Sequence, residues 1–187
     1  MGLAMRFRKK TPMPSSRALI PAMVVASLIL GTIAAAPAAE KKPDPFARVY
    51  LALRGCTSCS HCRTTIRQMA RASAGGGEAR LTGDKIEVSY ATPKHVPLRD
   101  VIRRLAENRL HDLSLVDVLF EARGSIADGP GGAIFILPQT GQRFPVEVDP
   151  SIRRPEKGAP VLLVARVDGW REKSEIRLVA REVREGA

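Results

Sequence analysis

Three cysteines, Cys56, Cys59 and Cys62, lie within seven residues in the run Gly55-Cys56-Thr57-Ser58-Cys59-Ser60-His61-Cys62, and the chain contains no others. Thiols so close in sequence staple almost nothing, since a bridge between them closes only a very short loop. Their odd number also leaves one sulfur over. Chemistry at sulfur explains them better. The thiolate is both the nucleophile and the metal ligand, and helix-start amides together with Arg63 and Arg67 favour that form. Soft thiolates select soft ions: Cu(I) first, then Hg(II), with Zn(II) where further ligands arrive.

Neighbouring residues narrow the choice. An iron–sulfur cluster needs four ligands and the run supplies three cysteines. Covalent haem needs a histidine directly after Cys-x-x-Cys, but Ser60 follows Cys59 and Arg63 follows Cys62. A structural zinc site would need His61 or His111 as a fourth ligand. The rival from another class is a thiol–disulfide redox protein using the same cysteines. The thioredoxin pattern would want a longer βαβ frame, whereas here a glycine run and a hairpin follow.

The elements that must position these thiols are readable from periodicity. Arg48–Leu53 alternates like a strand and stops at Gly55. Cys62, Ile66, Met69, Ala70 and Ser73 fall on one helical stripe, ended by Gly75-Gly76-Gly77. Ala79–Leu81 and Lys85–Tyr90 read as a hairpin around Gly83-Asp84. Pro97 opens a second helix with Leu98, Val101, Ile102 and Leu105 on one face. A strand over Leu113–Phe120 follows. The expected fold class is therefore α+β, a ferredoxin-like βαββαβ domain over residues 45–114. Five short strand candidates, Val116–Phe120, Ala133–Leu137, Phe144–Val148, Val161–Val167 and Ile176–Val183, then suggest a small five-stranded OB-like β-barrel over 115–187.

Loop, helix stripe and element order together resemble the heavy-metal-associated domain family of copper chaperones and mercury-binding proteins. Its motif is Gly-Met-(Thr/Ser)-Cys-x-x-Cys, and Cys59 and Cys62 match the two metal ligands. Ile66 falls where the family keeps an apolar residue. The resemblance implies a carrier that captures Cu(I), or Hg(II), and hands it over. It also implies a metal-transporting membrane protein or another metal acceptor as partner. One residue is inserted relative to the motif. Cys56 stands nearest the family's buried Met and reads either as a small core residue or as a third ligand. His61 is a variable, solvent-side position, and His111 follows the point where the second helix approaches the metal loop. His95 has no visible task.

The formal net charge of +11 looks like a nucleic-acid signal until its distribution is considered. Residues 1–17 carry Arg6, Arg8, Lys9, Lys10 and Arg17 and no acid, and an apolar run from Ala18 to Ala39 follows. Basic region, apolar region and the small-residue end Ala36-Pro37-Ala38 make residues 1–39 a signal peptide, or otherwise an N-terminal anchor. Without those five basic residues, 25 basic stand against 19 acidic ones, a net charge of +6. The folded part is then expected to be periplasmic or otherwise exported. Phe120, Phe135 and Phe144 sit in strand patterns and read as core rather than as stacking platforms, so no nucleic-acid partner is expected. No acid–base pair, activated nucleophile or phosphate loop is visible, so no enzymatic activity is expected either.

Overall fold

The computed structural model describes residues 43–108, 110, 112–172 and 175–186; the leader or anchor expected over 1–39 lies outside them. Eight strands and two helices follow in the order β1 (Ala47–Arg54), α1 (Ser60–Ser73), β2 (Glu78–Thr82), β3 (Lys85–Tyr90), α2 (Leu98–Ala106), β4 (Ser114–Gly129), β5 (Gly132–Ile136), β6 (Arg143–Glu147), β7 (Pro160–Asp168) and β8 (Arg177–Glu185). They form one sheet in the order β2-β3-β1-β4-β5-β6-β8-β7, and a further β4–β7 pairing closes its second part into a five-stranded barrel. All neighbours are antiparallel except β6 and β8, which meet in parallel at Val146↔Leu178 and Glu147↔Val179.

This corrects the expected fold class. The chain is not an α+β ferredoxin-like βαββαβ domain followed by a barrel of its own. It is a mostly β molecule with two helices, built on one continuous sheet. The reason lies in β4. Its expected end at Phe120 is not an end, because Ala122 and Gly124 continue the inward alternation begun by Leu115, Val118 and Phe120. No Pro or Gly interrupts the run before Gly124, and that glycine marks a close approach within a strand rather than a stop. A Cβ there would sit 2.3 Å from the Ile136 carbonyl oxygen and 2.6 Å from Phe135 Cζ.

The core is correspondingly shared. One buried apolar cluster includes Val49 and Leu51 of β1, Ile66 of α1, Ile102 and Leu105 of α2, and Leu163 and Leu178 of the barrel. Both helix stripes expected from spacing point into it: Ile66, Ala70 and Ser73 from α1, and Leu98, Val101, Ile102 and Leu105 from α2. Phe120 stands at the junction, opposite Val49 on one side and Ala165 on the other. Its ring meets Phe135 edge-on at 6.3 Å and Phe144 at 5.5 Å, arrangements that add to simple area burial. Truncating this ring should therefore loosen both parts together. We expect Phe120→Ala to lower stability by about 3–5 kcal/mol in one cooperative denaturant transition. A biphasic curve, or a loss below about 1 kcal/mol, would show two independent cores instead.

Candidate metal centre

The cysteine loop is a short span between two fixed ends. At its start, β1 is held between β3 and β4 and terminates at Arg54. Gly55 then adopts φ +119°, and a Cβ on it would lie 1.4 Å from the Asp112 carbonyl oxygen. Only glycine fits both that backbone and that contact. The opposing turn is tied down by Asn108, whose side-chain amide donates to the carbonyls of Leu105 and Leu113 and whose oxygen accepts from the Leu110 N–H. At its other end, α1 is anchored by Ile66 and Ala70, both buried to within 1%.

Cys59 is the N-cap of α1. It has extended backbone angles (φ −69°, ψ 147°), and its Sγ accepts the Cys62 N–H at 3.2 Å. The Cys56 thiol donates to the same sulfur at 3.3 Å. All three sulfurs lie within 4.8 Å of one another. Cys59 is exposed while Cys56 and Cys62 are half-buried, and Cys62 rests against the edge of the core. The cluster is thus open on one side.

Its electrostatics follow from this geometry. Bonds from the Cys62 thiol, from the Cys62 backbone N–H and from the Cys56 thiol hold the Cys59 thiol below its ordinary pKa. Negative charge at that sulfur also faces the positive end of α1, whose first turn contains no acid. Cys62 moves the other way. Its proton is retained in bonding to Cys59 and Cys56, and partial desolvation adds to this, so its pKa is pushed up to about 12. Negative charge in this pair is thus favoured at Cys59 over Cys62.

Sulfur atoms bound to a small thiophilic ion at about 2.3 Å in a trigonal plane stand about 4.0 Å apart. Cys56 Sγ and Cys59 Sγ stand 3.3 Å apart and no pair of the three exceeds 4.8 Å, separations close to that value. The cluster could therefore hold a soft metal ion after small side-chain rotations. No protein-family model, curated protein or solved structure matches this chain.

The structure brings all three cysteines together, and Cys56 among them is half-buried. The histidines do not join them among the described residues. The ring of His61 is not part of the group, and its backbone carbonyl accepts from Thr65. His95 lies across from Gln142 at 3.5 Å. His111 is outside the described residues. What the spacing did not disclose is the capping role of Cys59 and the contact between Gly55 and Asp112. A cysteine three residues before a helical amide was a signal for the first; the second joins positions 57 apart and leaves no local trace.

The two shifts give a pH-dependent reactivity. A lowered pKa means that the thiolate exists at lower pH, so Cys59 should be alkylated first by iodoacetamide. Its rate should rise with a midpoint below the ordinary thiol value of about 8.5, and Cys62 should be slower than Cys59. Mass spectrometry of the metal-free, reduced chain at several pH values checks this order. Equal rates at Cys59 and Cys62 would show that the cap and its thiol bonds do not separate the two sulfurs in acidity.

Proposed function

We propose that this chain is an exported carrier of a soft metal ion, Cu(I) in the first place and Hg(II) in the second, with Cys56, Cys59 and Cys62 as ligands. The observation that carries this reading is the convergence of three sulfurs within 4.8 Å on an open loop. No histidine, aspartate or glutamate joins them among the described residues. A three-sulfur set lacks the fourth ligand that closes a structural zinc site, and its softness favours monovalent copper or mercury. The apolar segment 18–39 with its basic flank supports export, and the Cys-x-x-Cys spacing of Cys59 and Cys62 at the start of a helix is in keeping with a soft-metal cargo.

Hand-over proceeds by ligand exchange. An incoming thiolate from the acceptor binds the three-coordinate ion, and one of the three cysteines then leaves. Low coordination keeps the exchange fast even where affinity is high. The acceptor approaches a positive surface: Arg63, Arg67 and Arg71 follow one another at i, i+4 and i+8 along α1, and Arg67 and Arg71 are exposed. None has an acidic partner among the described residues. An acceptor with an acidic face, such as a metal-transporting membrane protein, suits that stripe.

The rival function, thiol–disulfide exchange, is favoured by one observation, the 3.3 Å separation of Cys56 from the acidified Cys59. One titration decides between the two. Reduced protein should take Cu(I) from a competing chelator such as bicinchoninate at one ion per chain. Cys59→Ser/Cys62→Ser should abolish this, and Cys56→Ser should weaken it by at least about tenfold, or about 1.4 kcal/mol. Failure to compete, together with a disulfide readily cycled by glutathione, would transfer the loop to redox chemistry.

Charge reversal tests the acceptor surface separately. Arg67→Glu/Arg71→Glu should leave Cu(I) affinity unchanged but slow transfer to an acidic acceptor, by up to about tenfold at low salt and less at high salt. Identical transfer rates at both salt concentrations would remove α1 from the docking surface.

A further inference from the structure

A cavity of about 570 Å³ opens between α2 and the turn that joins β7 to β8. None of the three cysteines lines it. Its volume is in the range that takes small organic ligands. From one side α2 presents Arg99, Ile102, Arg103 and Ala106, which share a helical face at i, i+3, i+4 and i+7. From the other side come Trp170, Arg171 and Ile176. The walls are thus mainly apolar, and the charged groups at the rim are three arginines against the single acid Glu107.

Arg171 is held ready. Its guanidinium lies over the Trp170 ring at 4.9 Å from the centroid, and one of its terminal nitrogens donates to the Val116 carbonyl. That carbonyl is available for a structural reason. The β1–β4 register passes from Ala52↔Asp117 to Leu53↔Leu115, so Val116 is the extra residue of a bulge and has no place in the ladder. The bulge fixes the arginine, and the arginine covers the only tryptophan of the chain. Arg103 is braced in the same manner by Asp100 at 2.9 Å.

We propose that this cavity binds a small organic anion, a carboxylate carried on a flat apolar body. The body lies against Trp170, Ile102 and Ile176, and the carboxylate meets the guanidinium groups of Arg171 and Arg103. The planar fork of a guanidinium matches the two oxygens of a carboxylate. A neutral ligand would fill the same volume but leave the guanidinium donors of Arg171 and Arg103 without an added acceptor.

The test uses the full chain with 2-naphthoate as probe and 2-naphthylmethanol as its neutral counterpart. Affinity is measured by calorimetry and location by the change in Trp170 fluorescence. We expect saturable one-to-one binding of naphthoate, at least about tenfold tighter than that of the alcohol. Arg103→Gln, on the well-packed α2, should bring the two ligands close to parity, and Arg171→Gln should do the same. Ala106→Phe, which fills the cavity, should abolish binding of both while circular dichroism stays unchanged. Non-saturable binding, equal affinity for acid and alcohol, or binding that survives Ala106→Phe would each overturn the proposal. The metal titration is independent of all these outcomes.

Discussion

Strand β4 has to satisfy neighbours on both edges at once, and the rest of the molecule is arranged around that demand. Residues Leu119–Ala122 pair with β1 on one edge and with β7 on the other. Further along, Ser125 faces both Ile136 of β5 and Pro160 of β7. A strand used in this way must bend, and the bend requires local smallness. Gly124 supplies it where the Ile136 carbonyl and the Phe135 ring leave no room for a methyl group. The Phe120 ring fills the space inside the curve. One strand thus transmits order between a helix-covered sheet and a closed barrel, with no boundary in the hydrogen-bond ladder.

The cysteine loop inherits its geometry from this frame. Because β4 fixes β1, the end of β1 is fixed, and Gly55 can be pressed against the Asp112 carbonyl without room to drift. Because Ile66 and Ala70 are buried, the first turn of α1 is fixed as well, and its amides face the Cys59 sulfur. Little freedom remains between these ends for the three sulfurs to separate. The opposite movements of Cys59 and Cys62 in acidity are a consequence: a single charge is best placed where most donors converge, and the neighbour that donates to it keeps its proton.

Much of this was legible in the residues themselves. Helix stripes such as Ile66–Ala70 and Leu98–Leu105 follow from a period that burial enforces within one element. The three ligands were legible because their convergence is local, within seven residues of chain. The fold class was misread because it depended on where β4 stops. Alternation says that a strand continues but not which neighbours it changes along the way. The Gly55–Asp112 contact, the bulge at Val116 and the cavity beside Trp170 all join positions distant in sequence. A one-dimensional pattern records the residues that make such contacts, but not the contacts.

The separation of core from sulfur cluster bears on how a carrier can work. The buried cluster contains none of the three cysteines, and only Cys62 touches its margin. The apolar core is therefore built without the metal-binding side chains, unlike small domains in which binding free energy is folding free energy. On the proposed reading this has a kinetic benefit. An ion that also holds the fold together can be surrendered only if the chain partly unfolds. An ion held on an already formed loop can leave by exchange at sulfur alone. The cap at Cys59 serves the same end, since the helix amide that stabilises the empty thiolate is in place before any ion arrives. Loading then needs little reorganisation of the backbone, because both ends of the loop are already fixed.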